Sequence, residues 1–175
     1  MYKEAFDEMF IVIMSDIHRA KDMAREIIER CKRADLFICL GDGSDTFMSL
    51  CDEAGVPHTE VLGNCDMFFV NPKPMEIITL DLAGKRIFAT HGHRYSVKHT
   101  YDTIKYAGLE READIVLFGH THEQYMEYVE RKGKDNMLLI NPGSVADGNF
   151  ATVDIRNNQI LPNLIRFDGI KEYKR

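Results

Sequence analysis

No apolar stretch in the 175-residue sequence approaches the roughly 20 residues that a membrane span requires. The opening residues, Met1-Tyr2-Lys3-Glu4-Ala5-Phe6-Asp7-Glu8, hold charge where a signal peptide has its apolar h-region, so no secretory signal is expected. Basic residues are in deficit: 22 Lys and Arg against 28 Asp and Glu leave a formal net charge of −6. A protein that tracks a nucleic-acid backbone needs a basic face, so an extended nucleic-acid surface is not expected. A small phosphorylated ligand stays open, because bound metal ions supply local positive charge. Cysteine is scarce, and none of Cys31, Cys39, Cys51 and Cys65 has CxxC spacing. A reduced, cytoplasmic setting is the simplest expectation. Repeats, low-complexity tracts and linkers are missing too. Residues 1–175 are expected to form one domain that buries a core without disulfides or structural metals.

The composition, 45% hydrophobic and 29% charged, is that of an ordered globular chain. Its first half alternates strand and helix. An apolar run at 10–15 precedes a helix over 20–33, whose Met23, Ile27, Ile28 and Cys31 share one face. A strand over 35–40, a helix over 45–53 with Asp45 as a candidate N-cap, and a strand over 58–63 follow. Such alternation implies βαβ units and parallel pairing. Further on, strands over 75–82 and 85–91 meet at Ala83-Gly84, and a helix over 97–112 leads to a strand over 114–119. The remainder is strand-rich: 124–130, 136–140, 151–156 and 159–167, the last pair joined by Asn157-Asn158. The expected fold class is α/β (α+β), with two sheets packed face to face and helices outside.

Five of the apolar runs break off into clusters of metal-binding side chains. They end in Ser15-Asp16-Ile17-His18, Gly41-Asp42-Gly43, Gly63-Asn64-Cys65-Asp66, Thr90-His91-Gly92-His93 and Gly119-His120-Thr121-His122. In an open sheet, ligands sit beyond the carboxyl ends of the parallel strands, so folding could gather these clusters at one edge. Side chains two apart in extended backbone point the same way, which would aim Asp16 with His18 and His120 with His122. The donors are carboxylate, imidazole and amide oxygen, without a thiolate quartet. That set suits an open catalytic site for Mn, Fe, Ni or Zn better than a closed structural zinc site. Seven candidate ligands exceed one ion's need, and two ions roughly 3.5–4 Å apart, sharing a carboxylate, would use them all.

The order Asp16-Ile17-His18, Gly41-Asp42, Gly63-Asn64, His91-Gly92-His93, Gly119-His120-Thr121-His122 resembles the calcineurin-like metallophosphoesterases. Gly63-Asn64-Cys65-Asp66, Asn141-Pro142-Gly143-Ser144 and the short chain are most similar to the YfcE-like phosphodiesterase group. The resemblance spans roughly residues 11–145 and implies a four-layer α-β-β-α sandwich of two mixed sheets. It implies two divalent ions, manganese first with Ni, Fe or Zn as alternatives. One ion would take Asp16, His18, Asp42 and His122; the other Asp42, Asn64, His91 and His120, with Asp42 the bridge. The implied activity is hydrolysis of a small phosphodiester by a metal-bridging hydroxide, with the ions offsetting the developing charge. Relatives often form dimers, which leaves a homodimer open.

One position departs from most of the superfamily, which has His directly after the Asn and assigns it to the phosphate or the leaving group. This chain has Cys65 there, as the YfcE-like group does, and a thiol is a weaker acid. Either the leaving group needs little help or another residue, His93 being nearest in sequence, protonates it. Two alternatives stand: a protein-interaction module like the retromer subunit of the same fold, or a phosphomonoesterase. The complete ligand set argues against the first and Cys65 against the second.

Plainer readings attach to several residues. Asp45 could cap a helix or orient a ligand, and Asn141-Pro142-Gly143-Ser144 could be a turn or line the site. His58 and His99 read as surface or packing residues, and Met14, Met23, Met48 and Met67 as core filler. Cys31, Cys39 and Cys51 read as inert buried thiols, and 131–135 as a solvated hairpin tip.

Overall fold

Ile11-Val12-Ile13-Met14 is apolar at every position because both faces of its strand are covered. Ile11 and Ile13 enter one buried cluster with Ile38, Leu40, Ile87, Ile115, Leu117, Leu138 and Ile140. Val12 and Met14 enter another with Ile27, Ile28, Phe37 and Phe47. The structure, a computed structural model, describes residues 8–66 and 74–167.

The elements run β1 (Met9–Met14), α1 (Lys21–Arg30), β2 (Leu36–Cys39), α2 (Ser44–Ala54) and β3 (His58–Glu60), then β4 (Ile77–Leu82), β5 (Lys85–Thr90) and α3 (Asp102–Glu110). They continue with β6 (Ile115–Leu117), β7 (Gln124–Val129), β8 (Met137–Pro142), β9 (Asn149–Arg156) and β10 (Gln159–Arg166). One sheet has the order β10-β9-β1-β2-β3, the other β4-β5-β6-β8-β7. Each is mixed: β1, β2 and β3 are parallel in the first, and β5, β6 and β8 in the second, with antiparallel strands outside them. The largest apolar cluster lies between the sheets, a second beneath α1 and α2, and a third beneath α3. This is the expected α-β-β-α sandwich. Among the described residues, no helix is long and apolar enough to cross a membrane.

The two tight turns form where expected. Ala83 and Gly84 have φ of 47° and 73°, and Asn157 and Asn158 have 51° and 63°, the doubly positive backbone that closes a two-residue hairpin. Other boundaries move. The third helix begins at Asp102 rather than 97, because residues 96–99 form turns, the His99 and Thr100 amides both bonding back to the Ser96 carbonyl; Val97 is still buried. Helix α2 begins at Ser44, so Asp45 is an exposed first-turn residue and not the N-cap. The segment 131–135 is not wholly a solvated tip. Arg131 donates to the Ala113 carbonyl and pairs with Asp114 at 2.9 Å, its side chain 8% exposed. Met14 is buried and Met23 packs against the α1–α2 cluster, whereas Met67 lies outside the described residues. Cys39 and Cys51 are buried, and Cys31 is half-buried.

Gly108 lets α3 approach its sheet. A Cβ there would stand 2.5 Å from Val116 Cγ2 and 2.8 Å from Met137 Sδ. Alanine would gain about 1 kcal/mol of helix propensity, but overpacking costs typically about 1–3 kcal/mol. Gly108→Ala is therefore expected to lower stability by about 1 kcal/mol in urea unfolding. An unchanged or raised midpoint would contradict this packing.

Candidate metal centre

All five clusters follow the carboxyl ends of strands: Asp16 and His18 after β1, Asp42 after β2, Asn64 after β3, His91 and His93 after β5, and His120 and His122 after β6. The parallel strands of each sheet point the same way, so their termini collect at one end of the sandwich.

The loops are not extended there, so the every-second-residue argument does not apply. Asp16, His18, Asp42, His120 and His122 all have positive φ, between 47° and 70°. A left-handed backbone at a non-glycine residue is strained, and clusters of such residues mark functional sites. His122 joins Asp16 and His18, while His120 turns toward His91, their ring centroids 5.0 Å apart.

Two overlapping groups result. In the first, His122 Nε2 lies 3.1 Å from Asp16 Oδ1, and His18 Nε2 lies 3.9 Å from that oxygen and 3.4 Å from His122 Nε2. In the second, His91 Nε2 lies 3.4 Å from Asp42 Oδ2 and 3.1 Å from Asn64 Oδ1. Ligand atoms of Asp16, Asp42 and His91 fall within 4.8 Å of one another and link the groups. Cys65 Sγ also comes within that reach of His18 and Asp42, a contact the sequence did not suggest. His93 sits behind, its ring 5.4 Å from His91 and 6.1 Å from His120.

Sequence reasoning missed what holds these loops. The Asp66 carboxylate accepts from the amides of Asp42, Gly43, Ser44 and Gly63 and from the Ser44 hydroxyl. It thereby caps α2 from a distant loop, since the N-cap Gly43 has no side chain to do so. The only sequence signal was its place in Gly63-Asn64-Cys65-Asp66. Asn141 is fully buried and donates to the Gly119 carbonyl and Thr121 Oγ1, bracing the loop of His120 and His122. Ser144 Oγ donates to the Asp16 carbonyl and Ser15 Oγ to Asp16 Oδ2. Asn141-Pro142-Gly143-Ser144 thus supports the site from beneath. Two glycines admit the close approach: a Cβ on Gly63 would meet Asp42 Oδ1 at 2.0 Å, and one on Gly119 would meet Ser15 Oγ at 1.9 Å.

The electrostatics favour cations. Asp16 is 0% and Asp42 3% exposed, and Asp16 Oδ1 is a buried atom that accepts no hydrogen bond among the described residues, with His122 Nε2 3.1 Å away in ion-pair contact only. Burial alone would raise the Asp42 carboxyl, but His91 and the Cys65 amide hold it well below the usual carboxylate range. Burial opposes charge on His91, yet the Asp42 hydrogen bond and the charges of Asp16 and Asp42 raise its pKa. Burial, reinforced by the charge of His91, pushes His120 down to about 4. Burial and then His91 also lower His93. The raised proton affinity of His91 is the response of that imidazole to the two buried carboxylates. A buried carboxylate oxygen that accepts no hydrogen bond, convergent imidazoles and an amide oxygen are a donor set that fits divalent ions.

Asp66→Ala should leave several donors without their acceptor. Its cost is expected near 2–3 kcal/mol, read as a lower urea midpoint of the metal-free protein. A loss under about 0.5 kcal/mol would show that water replaces the carboxylate.

His120 also predicts a pH dependence. Its folded pKa of about 4 lies below the ordinary 6.5, so the unfolded chain binds the proton more tightly. The stability this contributes is present above about 6.5 and is lost as pH falls toward 4. As pH falls from 7 to 5, His91, whose pKa is raised, acts in the opposite direction and His93 in the same direction as His120, so the His120 contribution is read as the difference between the substituted and unsubstituted chains. In metal-free His120→Gln, the drop in stability from pH 7 to pH 5 is expected to be shallower than in the unsubstituted chain. Equal slopes would be inconsistent with this assignment.

Residues 9–158 match the calcineurin-like phosphoesterase superfamily domain. A probable metallophosphoesterase, YsnB of Bacillus subtilis, is 33% identical over 138 residues, which are 78% of this chain and 75% of YsnB. A phosphodiesterase of Methanocaldococcus jannaschii, MJ0936, is 40% identical over 68 residues, 39% of this chain and 34% of the relative. The crystal structure of a predicted phosphoesterase from Streptococcus pneumoniae TIGR4 superposes with a TM-score of 0.73 at 26% identity, covering 91% of this chain and 90% of that one. Vacuolar protein sorting 29 from Cryptosporidium parvum shares the fold, with a TM-score of 0.67 at 17% identity over 91% and 98% of the two chains. The match over residues 9–158, together with the relationship to YsnB, places the chain in the calcineurin-like phosphoesterase superfamily.

Proposed function

We propose that the protein is a metal-dependent phosphoric diester hydrolase acting on a small phosphodiester in the cytoplasm. The observation that carries this reading is the pair of buried carboxylates, Asp16 and Asp42, joined by ligand atoms of His91 within 4.8 Å. Asp16, His18, Asp42 and His122 would hold one ion, and Asp42, Asn64, His91 and His120 a second. Such ions would supply the Lewis acidity that makes water nucleophilic near neutral pH and offsets charge on the phosphate oxygens. The chain's own contribution is to fix these donors, with the His91 Nδ1 hydrogen bond to the Leu40 carbonyl at 2.7 Å leaving Nε2 to face Asp42 and Asn64. A phosphodiester is favoured because Cys65 stands where a stronger acid would serve a poorer leaving group. The full set of seven donors separates this reading from an interaction module.

Asp42→Ala and Asn64→Ala are each expected to lower hydrolysis of an aryl phosphodiester at least about 100-fold while leaving the circular dichroism spectrum unchanged. Retention of most activity in either variant would refute the site. Titration calorimetry with Mn should give two ions per chain.

The proton donor is tested by leaving group. Burial and the neighbouring Asp42 raise the Cys65 thiol pKa, whereas burial and His91 lower that of His93. Neither residue has the pKa of a strong acid matched to pH 7. If one of them donates, Cys65→Ser or His93→Gln will slow an alkyl diester far more than a nitrophenyl diester. Equal slowing of both esters would assign that residue to metal or phosphate binding.

A further inference from the structure

Lys85 lies at the end of the sandwich opposite the metal centre. It opens β5, whose far end carries His91, and shares a strand face with Ile87 and Ala89, both in the inter-sheet core. The residue is 6% exposed, and among the described residues its side chain makes no hydrogen bond and no ion pair, although its charge helps to lower the Asp114 pKa. The carboxylate beside it, Asp114, already accepts from the Arg86 amide and the Arg131 guanidinium. A lysine stem can cover apolar surface while its ammonium reaches water. Here the residue lines a cavity of about 670 Å³, walled also by Asp114, Tyr128, Asn136, Asn158, Gln159 and Leu161, with the Asp114 carboxylate turned to the Arg86 amide and the Arg131 guanidinium.

These walls are chemically specific. The amides of Asn136, Asn158 and Gln159 offer hydrogen bonds, and Tyr128 and Leu161, 52% and 41% exposed, offer apolar surface. The sign and size of the charge are limited as well. Lys134 also lines the cavity, but its ammonium is paired with Glu112 at 2.7 Å. Asp135 at the rim has no ion-pair partner among the described residues and would repel a dianion. One cation without a hydrogen-bonded partner, offset in part by Asp135, together with amides and an apolar wall, suits at most a single negative charge on an apolar body.

We infer that this cavity is a second ligand site, distinct from the metal centre, which takes a small organic carboxylate with an aromatic or branched apolar body. The ammonium of Lys85 meets the carboxylate, and Tyr128 and Leu161 cover the apolar part. Inorganic phosphate, a mixture of monoanion and dianion near neutral pH with no apolar body for Tyr128 and Leu161 to cover, is the weaker ligand here.

The test uses the full-length, metal-free, 15N-labelled chain titrated with sodium benzoate and, separately, with inorganic phosphate. Benzoate is expected to give saturable shifts at the amides of Lys85, Asn136, Asn158 and Gln159, with a Kd of about 1 mM or tighter. Lys85→Met keeps the stem and removes the charge, so it should weaken benzoate at least about tenfold. Lys85→Arg should restore binding, which separates lost charge from lost packing. Shifts confined to residues around His91 and His120, unsaturable shifts, or equal binding by Lys85→Met would overturn the site. Tighter binding of phosphate than of benzoate at these amides would overturn the carboxylate assignment.

Discussion

The architecture turns on two carboxylates held out of water close to one another. Asp16 and Asp42 sit at the ends of neighbouring parallel strands, both almost wholly buried, with ligand atoms inside one 4.8 Å cluster. Buried like charges repel, and each gives up hydration, so the arrangement demands positive charge nearby. In the metal-free chain His91 answers in part by binding a proton more readily. Divalent ions answer better, because they bring more charge and accept carboxylate, imidazole and amide oxygen together.

Much of the surrounding structure serves to hold that arrangement against its own repulsion. The left-handed backbone at Asp16, His18, Asp42, His120 and His122 is unfavourable locally and persists because the environment over-determines it. Asp66 ties the loop after β2 to the loop after β3, and Asn141 and Ser144 tie the loop after β6 to the loop after β1. The two sheets thus meet at their carboxyl ends through hydrogen bonds, whereas between them they meet through apolar packing. A site built this way is pre-organised, with its donors fixed before any ion arrives.

Much of the fold was legible in the chain because its signals are local. Strands buried on both faces read as unbroken apolar runs, and Ala83-Gly84 and Asn157-Asn158 are turn residues by their tolerance of positive φ. Boundaries were less legible where the cause was distant or conformational. Turns over 96–99, bonded back to the Ser96 carbonyl, replace the first turn of a helix that composition would extend to 97, and α2 starts at Ser44 because Asp66, 22 residues away, caps it. Arg131 appeared to belong to a charged tip, but the nearby Ala113 carbonyl and Asp114 draw it inward.

The candidate donors themselves were legible, since Asp, Asn and His at five strand ends need no structure to be noticed. Their partition was implied by the family resemblance, whereas the residues by themselves left open whether His120 and His122 address the same or neighbouring ions. Whether His120 joins His122 or His91 depends on φ at both residues and on how Asn141 braces Thr121 between them. The sequence by itself determined the elements, the layer order and the inventory of donors, because periodicity and turn chemistry act over a few residues. Tertiary structure alone decided how closely the donors approach one another, that Asp16 Oδ1 accepts no hydrogen bond among the described residues and that Cys65 comes within reach of Asp42. Those outcomes depend on loops brought together across two sheets, where hydrogen bonds between distant residues set distances that local preferences do not encode.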